Sequence, residues 1–199
     1  MATDDLSAGA RHRAERRARV IDAAMRLAYD GGYESVHMRE VAERSDVALG
    51  TIYRYFSGKD ELLIACLVEW MRLGRQGLRL AEPYHEPPAE RLARVLIEIS
   101  ARNDAAPDLM RALITALATT DPAAARYKRL VDQELRVLVE SAVSDGSPVD
   151  VERVHRVIGH VWFSAITRWV SGLAPDGSVG RDLADAARLV LGQPQLIDS

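Results

Sequence analysis

Cysteine is nearly absent from this chain. Cys66 stands alone in 199 residues, so no disulfide can close within it, and an intracellular, cytoplasmic setting is expected. Long apolar runs are missing too. Arg, Glu or His interrupts each of them well short of the roughly 20 residues that a membrane span requires, so no membrane partner is expected. The opening MATDDLSAGARHRAERRAR holds no apolar stretch of signal-peptide type. No segment alternates apolar and polar residues for long enough to form a strand, and no repeat or low-complexity tract occurs. Signatures of catalysis are equally scarce, with no G-x-S-x-G elbow and no G-x-G-x-x-G loop. The histidines (His12, His37, His85, His155 and His160) have no metal-ligand spacing, and the last two leave a helix on different sides. Cys66, beside Ile64, Ala65 and Leu67, fits a core better than a nucleophile. No catalytic residue, metal or cofactor is expected, and the chain is not expected to be an enzyme.

What is present is ordinary globular composition, 48% hydrophobic and 28% charged, in a chain long enough for one domain or two small ones. The net charge of −3 is unevenly spread. Residues 11–59 carry ten Arg/Lys against seven Asp/Glu, and from Asp60 onward the balance is sixteen against twenty. A basic front and an acidic rear fit a nucleic-acid-contacting end joined to a body with another task.

Glycines and prolines fall at the ends of segments that have helical periodicity. The spacing predicts nine helices, at residues 13–30, 39–45, 49–56, from 59 toward 80, 90–102, 107–118, 122–143, 149–173 and 181–191. Gly31-Gly32 ends the first, because glycine accepts the left-handed C-cap at little cost. Gly58 serves as N-cap of the fourth, with Glu61 as the third residue of a partial capping box. AEPYHEPPAE is a connector, while Asp121-Pro122 and Ser147-Pro148 each place a capping side chain before a proline at the first helical position. The fold class is all-α.

Within it, MREVAERSDVALGTIYRYFSGKDELL (residues 38–63) places two short amphipathic helices across a tight turn. The second turns Ile52 and Phe56 inward at i, i+4 and presents Thr51, Tyr53 and Tyr55 outward. That arrangement puts side chains into a DNA major groove. Gly50 has no Cβ and lets the backbone approach the duplex. Thr51 and Tyr53 offer hydroxyls to phosphates or base edges, and Tyr55 adds a ring on the same side. Lys59, at a helix N-terminus, adds its charge to the helix dipole and free N–H groups, which suits a phosphate. Arg39 opens the preceding helix, where it meets backbone or a base, whereas Arg54 leaves from the opposite side.

VAERSDVALGTIYRYFSGKDELL resembles the helix-turn-helix of the TetR family of bacterial transcriptional regulators. The likeness is strongest over residues 21–67, in Val41-Ala42, Val47, the Gly50-Thr51-Ile52-Tyr53-x-Tyr55-Phe56 run, and Lys59 followed by Leu62-Leu63. It implies an N-terminal arm and three-helix DNA-binding domain at residues 1–57 and a helical effector-binding and dimerisation domain at 58–199. It also puts His37, Arg39, Leu49, Gly50, Thr51, Tyr53, Tyr55 and Lys59 at or near DNA. Three positions depart from the family pattern. His37 replaces a threonine N-cap, Ala48 replaces a frequent serine cap, and Leu49 stands where a polar residue is common and suits a thymine methyl. The run Arg11, Arg13, Arg16, Arg17, Arg19 has two readings. It is either a frayed, solvated helix start or an arm, with Arg13 and Arg17 as contacts, on phosphates or in the adjacent minor groove.

The resemblance further implies a homodimer on a palindromic double-stranded operator, paired through the last two helices. Val151, Val154, Ile158, Val161, Trp162, Ala165, Ile166 and Trp169 make the first of these apolar over more than one face. Core plus interface fits that width, and so does a large monomeric core. The middle helices are expected to enclose a small-molecule effector, with Trp70, Met71, Met110, Leu113, Leu117, Tyr127, Trp162 and Phe163 as lining, although the same spacing suits ordinary core. No acidic or basic cluster marks the site, which points to an apolar or amphipathic ligand. VIGHVWFSAITRWVSGLA, with GGYESVHMREVAERSDVALGTIYRYF, is similar to the actinobacterial repressors of sterol and cholesterol catabolism, whose effectors are steroid acyl-CoA thioesters. For such a ligand, Arg75, Arg102, Arg111 and Arg168 are the candidates for its phosphates. The expected function is a ligand-released DNA-binding repressor. The alternatives are an activator, or a helical interaction protein of the same fold that lacks DNA binding.

Overall fold

The structure, a computed structural model, describes residues 2–78, 86–143 and 149–192, with side chains from residue 9 onward. The described residues form nine α-helices and no strand: α1 Ala2–Ser35, α2 Met38–Ser45, α3 Leu49–Tyr53, α4 Lys59–Gly77, α5 Pro88–Asp104, α6 Pro107–Leu117, α7 Ala125–Val143, α8 Val151–Val170 and α9 Ser178–Leu191. A single 3₁₀ turn, Pro122–Ala124, precedes α7. The first half of the expected connector, the approach of the fourth helix to Leu80, and the Ser147-Pro148 step lie outside the described residues.

Local chemistry sets the element ends. Regular geometry in α1 breaks at Gly31 (φ −151°, ψ 19°) and Gly32 (φ 68°, ψ −162°), the second a left-handed φ that glycine adopts freely. The Ser35 hydroxyl lies 2.5 Å from the Leu27 carbonyl oxygen and 2.8 Å from that of Gly32, so its single proton is shared between two acceptors that the interrupted helix leaves open. At its other end α1 starts at Ala2, well ahead of residue 13. Residues 10–16 are all exposed, so no core-facing period in the sequence announces that extension.

The third helix is shorter than its expected span. Ala48 provides no capping bond, and after Tyr53 the chain tightens into turns, with Arg54 N–H on the Thr51 carbonyl and Tyr55 N–H on that of Ile52. Ahead of α4, Glu61 accepts from the Ser57 N–H at 2.6 Å, one residue earlier than a capping box on Gly58. Asp121 caps as expected, accepting the Ala123 N–H at 2.9 Å. The cap of α8 is Asp150, which lies inside the helix expected from sequence and accepts the Arg153 N–H at 3.0 Å.

The chain divides into two compact units, Met1–Glu69 with Pro107–Lys128, and Trp70–Ala106 with Arg129–Ser199. The 57/58 boundary expected from sequence falls inside the first. In that unit α6 packs along α1 and buries Leu109, Met110, Ala112 and Leu113, while α1 buries Val20, Ala24, Leu27 and Ala28. In the second unit α9 packs against both α5 and α8. A Cβ on Gly180 of α9 would stand 3.2 Å from the Ile97 Cα, so the bare glycine permits the close approach of α5.

Candidate nucleic-acid interface

The interface begins with what α3 hides. Ile52 and Phe56 are fully buried, and Val41 and Val47 join them in the core of the first unit. Burying such side chains contributes about 1.5–3 kcal/mol each, which fixes the roll of a helix only five residues long. The opposite face is then turned outward. Tyr53 is 51% exposed, Gly50 and Arg54 are exposed, and Leu49, Thr51 and Tyr55 are half-buried. A Cβ on Gly50 would meet nothing in the chain within 4 Å. Its bare backbone is therefore not demanded by internal packing, and it leaves room for a partner from outside.

The turn between α2 and α3 is sharp. Asp46 adopts φ 51°, ψ 45°, and its carbonyl accepts from Arg19 Nη2 at 3.3 Å. Short polar side chains tolerate this left-handed region better than others, and that is the sequence signal for the turn. His37 and Arg39, at the start of α2, are exposed, and His37 makes no side-chain capping bond.

Lys59 is more engaged than its sequence position indicates. Its Nζ donates to the Tyr33 carbonyl at 3.1 Å and lies 3.7 Å from the centre of the Tyr33 ring. Two ammonium donors are left for a phosphate. The Tyr33 hydroxyl in turn donates to Asp60 Oδ1 at 2.6 Å. That bond, with burial and the negative charges of Asp60 and Glu34, pushes the Tyr33 pKa up to about 12. Tyr33 thus ties the end of α1 to the start of α4, a role that sequence reasoning missed because neither partner is adjacent to it.

The two arginines chosen from the basic run part company. Arg13 is exposed. Arg17 turns inward, with its Cζ 5.5 Å from the Phe56 ring and 5.7 Å from the Tyr127 ring, and its Nη2 donates to the Tyr127 hydroxyl at 3.3 Å. The Phe56 and Tyr127 rings lie 5.9 Å apart.

The candidate effector-lining residues fall in both units. Met110, Leu113, Leu117 and Tyr127 are buried in the first unit. Trp70, Met71 and Trp162 are half-buried in the second, and Phe163 there is 49% exposed. Trp70 Nε1 donates to Asn103 Oδ1 at 3.1 Å. Nearby on α4, Arg72 and Arg75 share the buried Glu134, at 2.6 and 3.4 Å. Cys66 is fully buried, and burial pushes its thiol far above the ordinary range. Among the described residues no group of three His, Cys, Asp or Glu is arranged to hold a metal ion. Among them, too, no helix is long and apolar enough to cross a membrane.

Two family models match the chain. Residues 20–66, which span the α2–α3 motif, match "Bacterial regulatory proteins, tetR family", and residues 86–190 match "Tetracyclin repressor-like, C-terminal domain". The chain is 37% identical over 191 residues to the HTH-type transcriptional repressor KstR of Rhodococcus jostii (strain RHA1), covering 95% of this chain and 88% of that one. It is 36% identical over 193 residues to the repressor of the same name from Mycolicibacterium smegmatis (strain ATCC 700084 / mc(2)155), covering 94% of each. The crystal structure of a TetR transcriptional regulator from Rhodococcus sp. RHA1 superposes with a TM-score of 0.78 at 27% identity, over 93% of this chain and 99% of that one.

Proposed function

Since this chain belongs to the TetR family of bacterial regulatory proteins and is a DNA-binding transcriptional regulator, not an enzyme, we propose that it acts as a homodimeric repressor, released from a palindromic operator by a small ligand. The observation that carries this reading is the division of α3, with Ile52 and Phe56 fully buried while Tyr53 is 51% exposed beside an open Gly50. Tyr53, Thr51 and Leu49 reach base edges and phosphates from the major groove, with Arg39, His37 and Tyr55 beside them. Lys59 and Arg13 take phosphates. Arg17 serves the interior instead.

A helix-turn-helix of this size reads few bases alone, and a two-fold pair reads two half-sites about 34–36 Å apart or a multiple of that. Phe163 on α8 and Leu189 on α9 are large apolar side chains, 49% and 69% exposed, and pairing through these helices would cover them. Phe163 therefore suits the dimer interface better than a pocket wall. The ligand, apolar or amphipathic and of steroid or acyl-CoA type, is taken up in the second unit beside Trp70, Met71 and Trp162. Coupling of about 1–3 kcal/mol between the two sites lowers operator affinity about 5–150-fold, and the protein works in the cytoplasm, where the operator is.

Selection of genomic fragments retained by the purified chain at physiological salt tests the reading. A recovered palindrome, lost with Tyr53→Ala, is the expected result. No enrichment by protein shown to be folded would overturn it and favour the helical interaction protein.

A further inference from the structure

The indole of Trp70 is held in place by its hydrogen bond to Asn103, a side chain only 6% exposed. Over its ring, 4.6 Å from the centroid, lies the Arg102 guanidinium. The stack is possible because α4 carries no side chain one turn on. A Cβ on Gly74 would stand 2.7 Å from Arg102 Nη1, in the space the guanidinium fills. A guanidinium stacked on an indole keeps its N–H donors in the ring plane, directed outward in a fixed fork. Those donors have no acceptor among the described residues. The carboxylate two residues on, Asp104, accepts instead from the Gly177 N–H at 3.1 Å.

A second guanidinium, on another side of α4 from Trp70, is also incompletely paired. Arg75 has a buried Nε with no hydrogen-bond partner among the described residues, and its Nη2 reaches Glu134 Oε2 at 3.4 Å, while Arg72 Nε donates to Oε1 of the same carboxylate at 2.6 Å. From Trp70 to Gly77, α4 carries two arginines and no acid. A buried guanidinium N–H without an acceptor costs on the scale of a lost charged hydrogen bond, so cationic charge along this stretch of α4 is not fully neutralised. Trp70 itself is half-buried, and its indole offers an apolar surface next to the Arg102 guanidinium.

We propose that Trp70, Gly74 and Arg102 form an acid-binding subsite of the second unit, which takes a carboxylate or phosphate carried on an apolar ligand. The inference rests on the ligand-released reading above for its biological use, but its chemistry is separable from DNA binding. Of the arginines that sequence left open, Arg102 is stacked and without an acceptor among the described residues, whereas Arg111 is paired with Asp108 at 2.8 Å.

Calorimetric titration of the full chain without DNA tests it, using decanoate, decanoyl-CoA and 1-decanol as probes. Wild type is expected to bind at least one of the two acids ten-fold or more tighter than the alcohol. Decanoate binding identifies a carboxylate as the recognised group, and binding of decanoyl-CoA alone identifies the phosphates. Arg102→Gln is expected to remove that preference, Arg102→Lys to keep part of it, and Arg111→Gln to leave it unchanged. Gly74→Ala keeps the charge and favours the helix, yet it displaces the guanidinium, so it is also expected to weaken the acids ten-fold. Equal binding of acid and alcohol, no binding of either acid, or an Arg102→Gln protein that binds like wild type would overturn the subsite. Operator binding is measured in parallel. Acids that bind without releasing DNA sink the repressor-release reading and leave the subsite standing, and intact operator binding without acid binding does the reverse.

Discussion

Arg17 donates to the Tyr127 hydroxyl at 3.3 Å across 110 residues of sequence, with its guanidinium facing the Phe56 ring as well. One cation thereby joins α1, the turn after α3 and α7 inside the first unit. Arg17→Ala should remove two cation–π contacts and a hydrogen bond, destabilising the protein by roughly 1–3 kcal/mol. Its operator affinity should fall without change in salt dependence, since no phosphate contact is lost. Arg13→Ala should do the opposite, leaving thermal unfolding as in wild type and flattening the slope of log K against log salt by about 0.9 per phosphate. Thermal melts and affinity at several salt concentrations separate the two, and a flattened slope for Arg17→Ala would place it on DNA after all.

Tyr33 gives a pH test. Its pKa is pushed up to about 12 from an ordinary 10, so the folded state holds the phenolic proton more tightly than the unfolded chain does. The stabilisation is complete below the unfolded value and is lost as pH climbs from about 10 toward about 12. Tyr33→Phe lacks the bond to Asp60 at every pH. The urea midpoints of wild type and variant should thus differ at pH 9 and converge as pH rises through that window. A difference that stays constant would mean that the hydroxyl bond does not control the titration.

Much of this architecture is legible in the sequence because caps and periods act locally. Gly31-Gly32, the inward pair Ile52 and Phe56, and the aspartate before α7 all act within a few residues of themselves. What escapes is the identity of distant neighbours. Periodicity marks Met110, Leu113 and Leu117 as apolar-faced, but it says nothing of the partner, and they lie in the first unit, where α6 packs along α1. A run of arginines likewise announces charge and not surroundings, so Arg13 and Arg17 look alike until Phe56 and Tyr127 are brought to one of them. The role of Tyr33 depends on Lys59 and Asp60, more than 25 residues on.

Asp46 holds a left-handed conformation that costs a residue with a Cβ roughly 1–2 kcal/mol, somewhat less for aspartate. Asp46→Gly removes that strain and adds about 0.4–1 kcal/mol of unfolded-chain entropy. The net expectation is a gain of about 0.5 kcal/mol, with Asp46→Asn near neutral and Asp46→Val clearly destabilised. The acceptor for Arg19 is the main-chain carbonyl, so all three variants keep it. Thermal unfolding ranks them, and a lower Tm for Asp46→Gly than for wild type would show that the aspartate side chain contributes more than its backbone costs.

Gly180 sets two effects of similar size against each other. Alanine inside a helix is favoured over glycine by up to about 1 kcal/mol, less near the N-terminus, where Gly180 sits as the third residue of α9. Against this, the added Cβ would stand 3.2 Å from the Ile97 Cα and 3.3 Å from the Ser100 Cβ. The first of these is backbone and cannot rotate away, so α5 and α9 must separate. Overpacking of this kind typically costs about 1–3 kcal/mol, which exceeds the propensity gain. Gly180→Ala should therefore lower the unfolding midpoint, and Gly180→Val should lower it further. A midpoint raised by alanine would mean that α9 yields easily, and that the close approach to α5 contributes little to the second unit.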